Sequence, residues 1–189
     1  MTTITADSIP GYKAGVWNID PSHSSVTFSV RHLMISKVNG SFGAFTGSFV
    51  TGENPLDTKV TAVAEVVSIN TNDEARDGHL RTNDFFDAEK FPTITFESTG
   101  VSVKDAAEGE YFVTGNLTVK GVTKSVDFNF EFGGFGTDPY GNYKAAATAT
   151  GTIDRTDFGL TWNAALETGG VLVGEKVTIT IDFQAALAD

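Results

Sequence analysis

Apolar and polar residues alternate with a period of two along most of this chain. Between residues 24 and 32 the even positions carry Val26, Phe28, Val30 and His32, while Ser25, Thr27, Ser29 and Arg31 hold the odd ones. Successive side chains of a strand point to opposite faces, so this segment reads as a strand with one apolar and one wet face. The pattern returns at Val126, Phe128, Phe130 and Phe132, and again at Val177, Ile179, Ile181 and Phe183. Residues 41–50 are rich in Phe and Gly, and the shift of apolar parity between Phe42 and Phe45 predicts a bulge. Further strands are expected over 59–69, 93–98, 110–119 and 143–153. The last of these presents Tyr143, Ala145, Ala147, Ala149, Gly151 and Ile153 on one side, a face of mostly small residues.

Turn signals separate these runs at 52–55, at 100 and 106–109, at 120–121 and at 137–141. One helix is predicted over 73–82, with Thr71 or Asn72 as its cap and Asp73 and Glu74 in its first turn. A second, short helical turn is expected around 163–168. There is no internal repeat. About eight alternating strands with one short helix predict an all-β fold, an antiparallel barrel in one domain spanning 1–189, with 1–15 as a flexible extension. A β-sandwich is the competing architecture, but it would fill its centre with large side chains. Small inward residues on a barrel instead leave an elongated pore.

Composition narrows the function classes. Fifteen phenylalanines and twenty glycines suit strands, tight turns and close-fitting apolar cavities. The formal charge of −11 argues against nucleic acid and against anionic membrane surfaces, which reward basic patches. The absence of cysteine removes disulfides, thiolate catalysis and cysteine-ligated metals. The first fifteen residues have no basic run followed by an apolar core, and no stretch has the 18 or so apolar residues of a membrane span. A cytoplasmic location with no stable membrane insertion is the expectation.

Several motifs resemble one family. Trp17, Asp20, Pro21, His23 and Ser24 are followed by Val26, Phe28, Val30 and His32. A central run holds Arg76, Asp77, His79, Leu80, Arg81, Asp84, Phe85, Phe86 and Asp87, then Phe91, Pro92, Thr95 and Phe96. Gly115 to Lys124 and Arg155-Thr156-Asp157-Phe158-Gly159 complete the series. Together they look like the YceI-like family over residues 17–183. The resemblance implies an extended, lipocalin-like, eight-stranded barrel that binds polyisoprenoids or other long amphiphiles in a central pore. It leaves room for a homodimer. Family members often carry an export signal, and this sequence departs from that pattern.

The candidate ligand lining is Val26, Phe28, Val30, His32, Phe42, Phe45, Phe96, Phe128, Phe130, Ala147, Phe158, Trp162 and Phe183, although the same aromatics could simply pack a core. Arg76, Arg81 and Arg155 are candidates for an anionic headgroup, because guanidinium suits phosphate. The alternative for Arg76, Asp77, Arg81, Asp84 and Asp87 is an ion-pair network that pins the helix to the barrel, and Arg155 with Asp157 could close one end as a pair. His23 and His32, nine apart on one strand, would face opposite ways, and a site from His32 and His79 is the weaker reading of the histidines. No nucleophile motif, phosphate loop or metal-protease signature is present, so neither a cofactor nor catalysis is expected. The function read from the residues is non-covalent storage or transport of a long isoprenoid or lipid-like ligand. An enzyme acting on that lipid and an interaction protein with a filled core remain as alternatives.

Overall fold

A computed structural model describes residues 4–189. Its strands are β1 (Gly15–Ile19), β2 (Ser25–His32), β3 (Ser36–Phe42), β4 (Phe45–Thr51), β5 (Lys59–Glu65), β6 (Ile69–Asn70), β7 (Thr93–Asp105), β8 (Glu110–Val119), β9 (Val122–Thr137), β10 (Tyr143–Asp154) and β11 (Val173–Leu187). Every pairing is antiparallel, and β1 closes the sheet onto β11. Three pairs of segments are single strands interrupted once: β1 with β2, β3 with β4, and β5 with β6. The eleven segments therefore make an eight-stranded closed barrel.

Each interruption has a local cause. Between β1 and β2, Pro21 removes a ladder donor and starts a 3-10 turn that Asp20 caps by accepting from the Ser22 N–H at 3.1 Å. Between β3 and β4, Gly43 and Ala44 leave the ladder where the parity shift predicted a bulge. Between β5 and β6 a 3-10 turn at Val66–Ser68 bends the chain under the barrel, burying Val66 and Ile69. The long strand β11 spans both sides of the first break, pairing with β2 through one half and with β1 through the other.

The helix α1 (Glu74–Leu80) is where the sequence placed it, but Asp73 is its cap, accepting from the Arg76 N–H at 2.9 Å. Asn72, one of the two residues expected there, takes a positive φ of 61° instead. The helical turn expected at 163–168 does not form. Ala165 bridges Val171 across a small loop, and the Asn163 side chain ties that loop to both backbone groups of Val173. Residues 5–14 run as a short 3-10 turn and a loop against one barrel end, where the Tyr12 hydroxyl donates to the Gly52 carbonyl at 2.8 Å. Among the described residues no helix is long and apolar enough to cross a membrane.

Candidate functional site

Alternation along the strands turns one face of each inward. On β10 that face is Ala145, Ala147, Ala149 and Ile153, and across it stand Phe128 and Phe130 of β9 and Ile179, Ile181 and Phe183 of β11. These positions enclose a cavity of about 370 Å³. Its lining reaches from Tyr12, Thr51 and Val60 at one end to Leu80, Phe85 and Leu160 at the other, so it follows the barrel lengthwise. The nine residues from Ala145 to Ile153 alone span roughly 27 Å along the strand.

The interior is not filled, although it is rich in phenylalanine, because several rings lie against the wall. Phe28 lies over Gly40 of β3, Phe96 over Gly115 of β8, and Phe128 over Gly151 of β10. A Cβ added at any of the three glycines would come within 2.3–2.8 Å of the neighbouring ring. With no side chain at those inward positions, the rings occupy the wall itself and leave the axis open. Phe96 and Phe128 then meet edge to face at 5.4 Å, and Phe28 packs on Phe42 at 5.6 Å.

Both ends of the barrel are packed. At one, Trp17 is fully buried, stacks on Phe49 at 5.7 Å, and donates from Nε1 to Thr51 Oγ1 at 3.0 Å. Phe135 and Tyr143 complete that cluster. At the other, Phe85, Leu117, Val119, Phe158 and Leu160 form an apolar group on which α1 rests through Leu80.

Arg76 and Arg81 pair with no carboxylate among the described residues and donate instead to Thr71 and to backbone carbonyls. Arg76 donates from Nε to Thr71 Oγ1 at 2.7 Å and from Nη2 to the Thr71 carbonyl at 2.8 Å. Thr71 in turn donates hydrogen bonds from its hydroxyl and its N–H to the buried Asp77 carboxylate. Arg81 donates to the Val67 and Ile69 carbonyls, both at 3.1 Å. In place of the expected ion-pair network, Arg76, Arg81 and Asp77 form a hydrogen-bond relay fastening α1 to residues 67–71, because those carbonyls face the helix and need donors. Asp84 meets His79 instead. Neither Arg76 nor Arg81 lines the cavity.

Arg155 does line it, and among the described residues it is the only lining one with a formal charge. It is 5% exposed and pairs with no carboxylate of the described residues, Asp157 included. Its guanidinium donates instead to the carbonyls of Gly174, Leu160, Trp162 and Val173 at 2.6–3.3 Å. Burial lowers its pKa, against the pull of Glu175 and Asp154. Burial likewise raises the Tyr111 hydroxyl, whose ring lines the cavity.

Of the predicted lining, Val26, Phe28, Val30, Phe42, Phe45, Phe96, Phe128, Phe130, Ala147, Phe158 and Phe183 face the cavity. His32 and Trp162 do not. His32 is the last residue of β2, opposite Ser36 and Val173, and the lining on that strand stops at Val30. Trp162 packs on His79 at 4.9 Å and on Phe85 at 5.3 Å, covering the end cluster from outside the cavity. His79 also meets Asp84 at 2.8 Å, and His23 lies in the 3-10 turn before β2 and not on the strand. No three metal-ligating side chains gather among the described residues. Ile19, Val60, Ala62, Val101 and Val113 line the cavity as well, and sequence reading passed over them. The first four sit on β1, β5 and β7, where the alternation is interrupted or short, and Val113 sits on the regularly alternating β8.

The fold and the cavity define a closed, extended, lipocalin-like β-barrel with an apolar interior. The chain belongs to the YceI-like family: the YceI-like domain matches residues 17–185. The UPF0312 protein SA2479 of Staphylococcus aureus (strain N315) is 39% identical over 175 residues, 92% of this chain and 98% of that relative. Among solved structures, a Campylobacter jejuni YCEI protein superposes with a TM-score of 0.70 at 26% identity over 100% of both chains. BcnA of Burkholderia cenocepacia gives 0.75 at 21% identity, over 88% of this chain and 98% of that one. A polyisoprenoid binding domain from Saccharophagus degradans gives 0.68 at 17% identity, over 93% and 100%. The last two show a shared fold.

Proposed function

We propose that the protein binds a long apolar chain, an isoprenoid or similar lipid, non-covalently along the barrel axis, and stores or carries it. The observation that carries this reading is the lengthwise cavity of about 370 Å³. Its size lies within the roughly 300–1,000 Å³ typical of ligand sites. A lining with one charged residue, Arg155, and no Asp, Glu or His supports retention over turnover. Family membership and the polyisoprenoid binding domain among the structural neighbours point to the same ligand class.

Tail length sets the affinity. At about 0.8 kcal/mol per buried CH₂, two isoprene units contribute roughly 8 kcal/mol before the cost of immobilising them. Firm retention therefore needs a longer tail. An anionic headgroup would sit at the Arg155 end, where the one lining charge has no carboxylate partner. The test is a titration with prenyl phosphates of increasing length. Affinity rises with length until the cavity is filled. Ala147→Trp, placed between Phe132 and Phe183, weakens the long tails by about tenfold or more and the short ones less. Unchanged affinity for the longest tail in a normally folded Ala147→Trp protein would contradict the placement of the ligand.

A further inference from the structure

The hairpin joining β2 to β3 ends in three consecutive apolar residues that the fold leaves in water. Leu33 is 39%, Met34 58% and Ile35 81% exposed. Leu33 and Met34 take φ values of 55° and 63°, and the Ile35 N–H closes the turn on the His32 carbonyl at 3.2 Å. Positive φ at both central positions is the geometry for which hairpins ordinarily use Asn-Gly, since a side chain there crowds the backbone. Here two large apolar side chains occupy both positions and point outward. Val171, also exposed, lies on the adjoining loop, and Met34 lies beside Gly170 of that loop.

Charge on the hairpin itself runs against that of the rest of the chain. Arg31 and Lys37 face each other across the hairpin, both are exposed, and neither forms an ion pair among the described residues. No Asp or Glu occurs between Asp20 and Glu53, although the chain as a whole carries −11. The neighbouring segment carries Glu167, Glu175 and Lys176, and Lys176 pairs with Asp154. An apolar hairpin tip flanked by the two cations Arg31 and Lys37 complements one surface above others, the boundary between lipid phosphates and acyl chains.

The tip is also continuous with the cavity. The Leu33 N–H donates to the Leu172 carbonyl at 2.9 Å, Val173 pairs with His32, and the Val173 carbonyl accepts from Arg155. Val30, Val173 and Arg155 all line the cavity. We propose that Leu33, Met34 and Ile35 dip into a lipid surface, with Arg31 and Lys37 on its phosphates, and that this end of the barrel is where the ligand is exchanged. The exchange role rests on the lipid-binding reading above, whereas the surface contact does not.

Because the chain has no cysteine, a single introduced thiol reports on one place. Ile35→Cys carries an environment-sensitive fluorophore at the tip. Tyr140→Cys, 90% exposed in the turn between β9 and β10 at the other end, carries it as the control. With vesicles of phosphatidylcholine and phosphatidylglycerol at 3:1, the probe at 35 moves to an apolar environment and the probe at 140 does not. Adding Leu33→Asn and Met34→Gly weakens the vesicle response by about tenfold while thermal stability holds or rises, since that pair suits the turn. Prenyl phosphate binding from solution stays unchanged in that variant, and its loading from vesicles slows.

No response at 35, an equal response at 35 and 140, or a response that depends on protein concentration without vesicles overturns the proposal. The last of these outcomes would make the tip a contact between copies of the chain. If the probe at 35 responds but no prenyl phosphate binds from solution, the surface contact stands and the cavity reading falls. If prenyl phosphate binds while the probe stays silent, the reverse holds.

Discussion

Phe28, Phe96 and Phe128 show how single residues keep a phenylalanine-rich barrel open. Each ring occupies the space that a side chain on the neighbouring strand would otherwise take, at Gly40, Gly115 and Gly151. The glycine costs the strand some intrinsic stability, and the ring covers the exposed backbone in return. The clearest case is Gly40, directly opposite Phe28, where all three nearest atoms belong to that ring. Gly40→Ala should push the ring toward the axis, destabilising the fold by about 1–3 kcal/mol through overpacking. Phe28→Ala should cost about 3–5 kcal/mol by leaving a void. The double substitution should cost at least about 1 kcal/mol less than the sum, because each change relieves the other. Denaturant unfolding of the four proteins measures this, and strict additivity would show that ring and glycine are not coupled.

At the scale of elements, the corners matter more than the strands between them. Asp20 ends β1, caps the 3-10 turn that follows, accepts from Ser22 Oγ at 2.6 Å and meets His23 Nδ1 at 2.9 Å. It also pairs with Lys144 of β10 at 2.7 Å. Asp154 repeats the device at the end of β10, accepting from the N–H and hydroxyl of Thr156 and pairing with Lys176. Lys144 first, then Ser22 and His23, hold the Asp20 carboxyl well below its ordinary range, and Thr156 does the same for Asp154. A carboxylate depressed in the folded state stabilises fully above its unfolded pKa, and loses that contribution as pH falls through the folded one. Asp20→Asn should therefore cost about 1–2 kcal/mol at neutral pH by loss of the charged cap. The gap to the unaltered protein should narrow only below the ordinary carboxylate range of about pH 4. Thermal unfolding of both proteins from pH 7 to pH 2 checks this, and a gap independent of pH would place the role of Asp20 elsewhere.

The same scale explains what the sequence could and could not reveal. Strands with uninterrupted alternation, such as 110–119 and the inward face of 143–153, were legible because period two has one physical meaning there. The break at Gly43 and Ala44 was legible as a parity shift. The short strand at Gly15–Ile19 was not, since five residues before a proline carry too little pattern. Trp162 and His32 were misplaced for related reasons. Parity says which face a residue takes but not how far the cavity extends along each strand, and on β2 the lining stops at Val30, two residues before His32. Trp162 lies outside any strand, where no periodicity applies. Arg76 and Arg81 read as charges seeking carboxylates, whereas backbone carbonyls at 67–71, invisible in a sequence, took their donors.

For the molecule as a whole, closure of the sheet and the spacing of small inward residues leave apolar space that a packed core would not tolerate. That space runs lengthwise, has one charge at one end, and is built from a lining of alanines and wall-hugging rings. The proposed binding of a long apolar chain rests on these features together, and native mass spectrometry of the protein purified under mild conditions tests it most directly. The account predicts a one-to-one adduct that extracts into organic solvent as a long-chain isoprenoid or lipid, or that forms when emptied protein is incubated with polyprenyl phosphate. A mass that stays that of the bare chain after such incubation would contradict it.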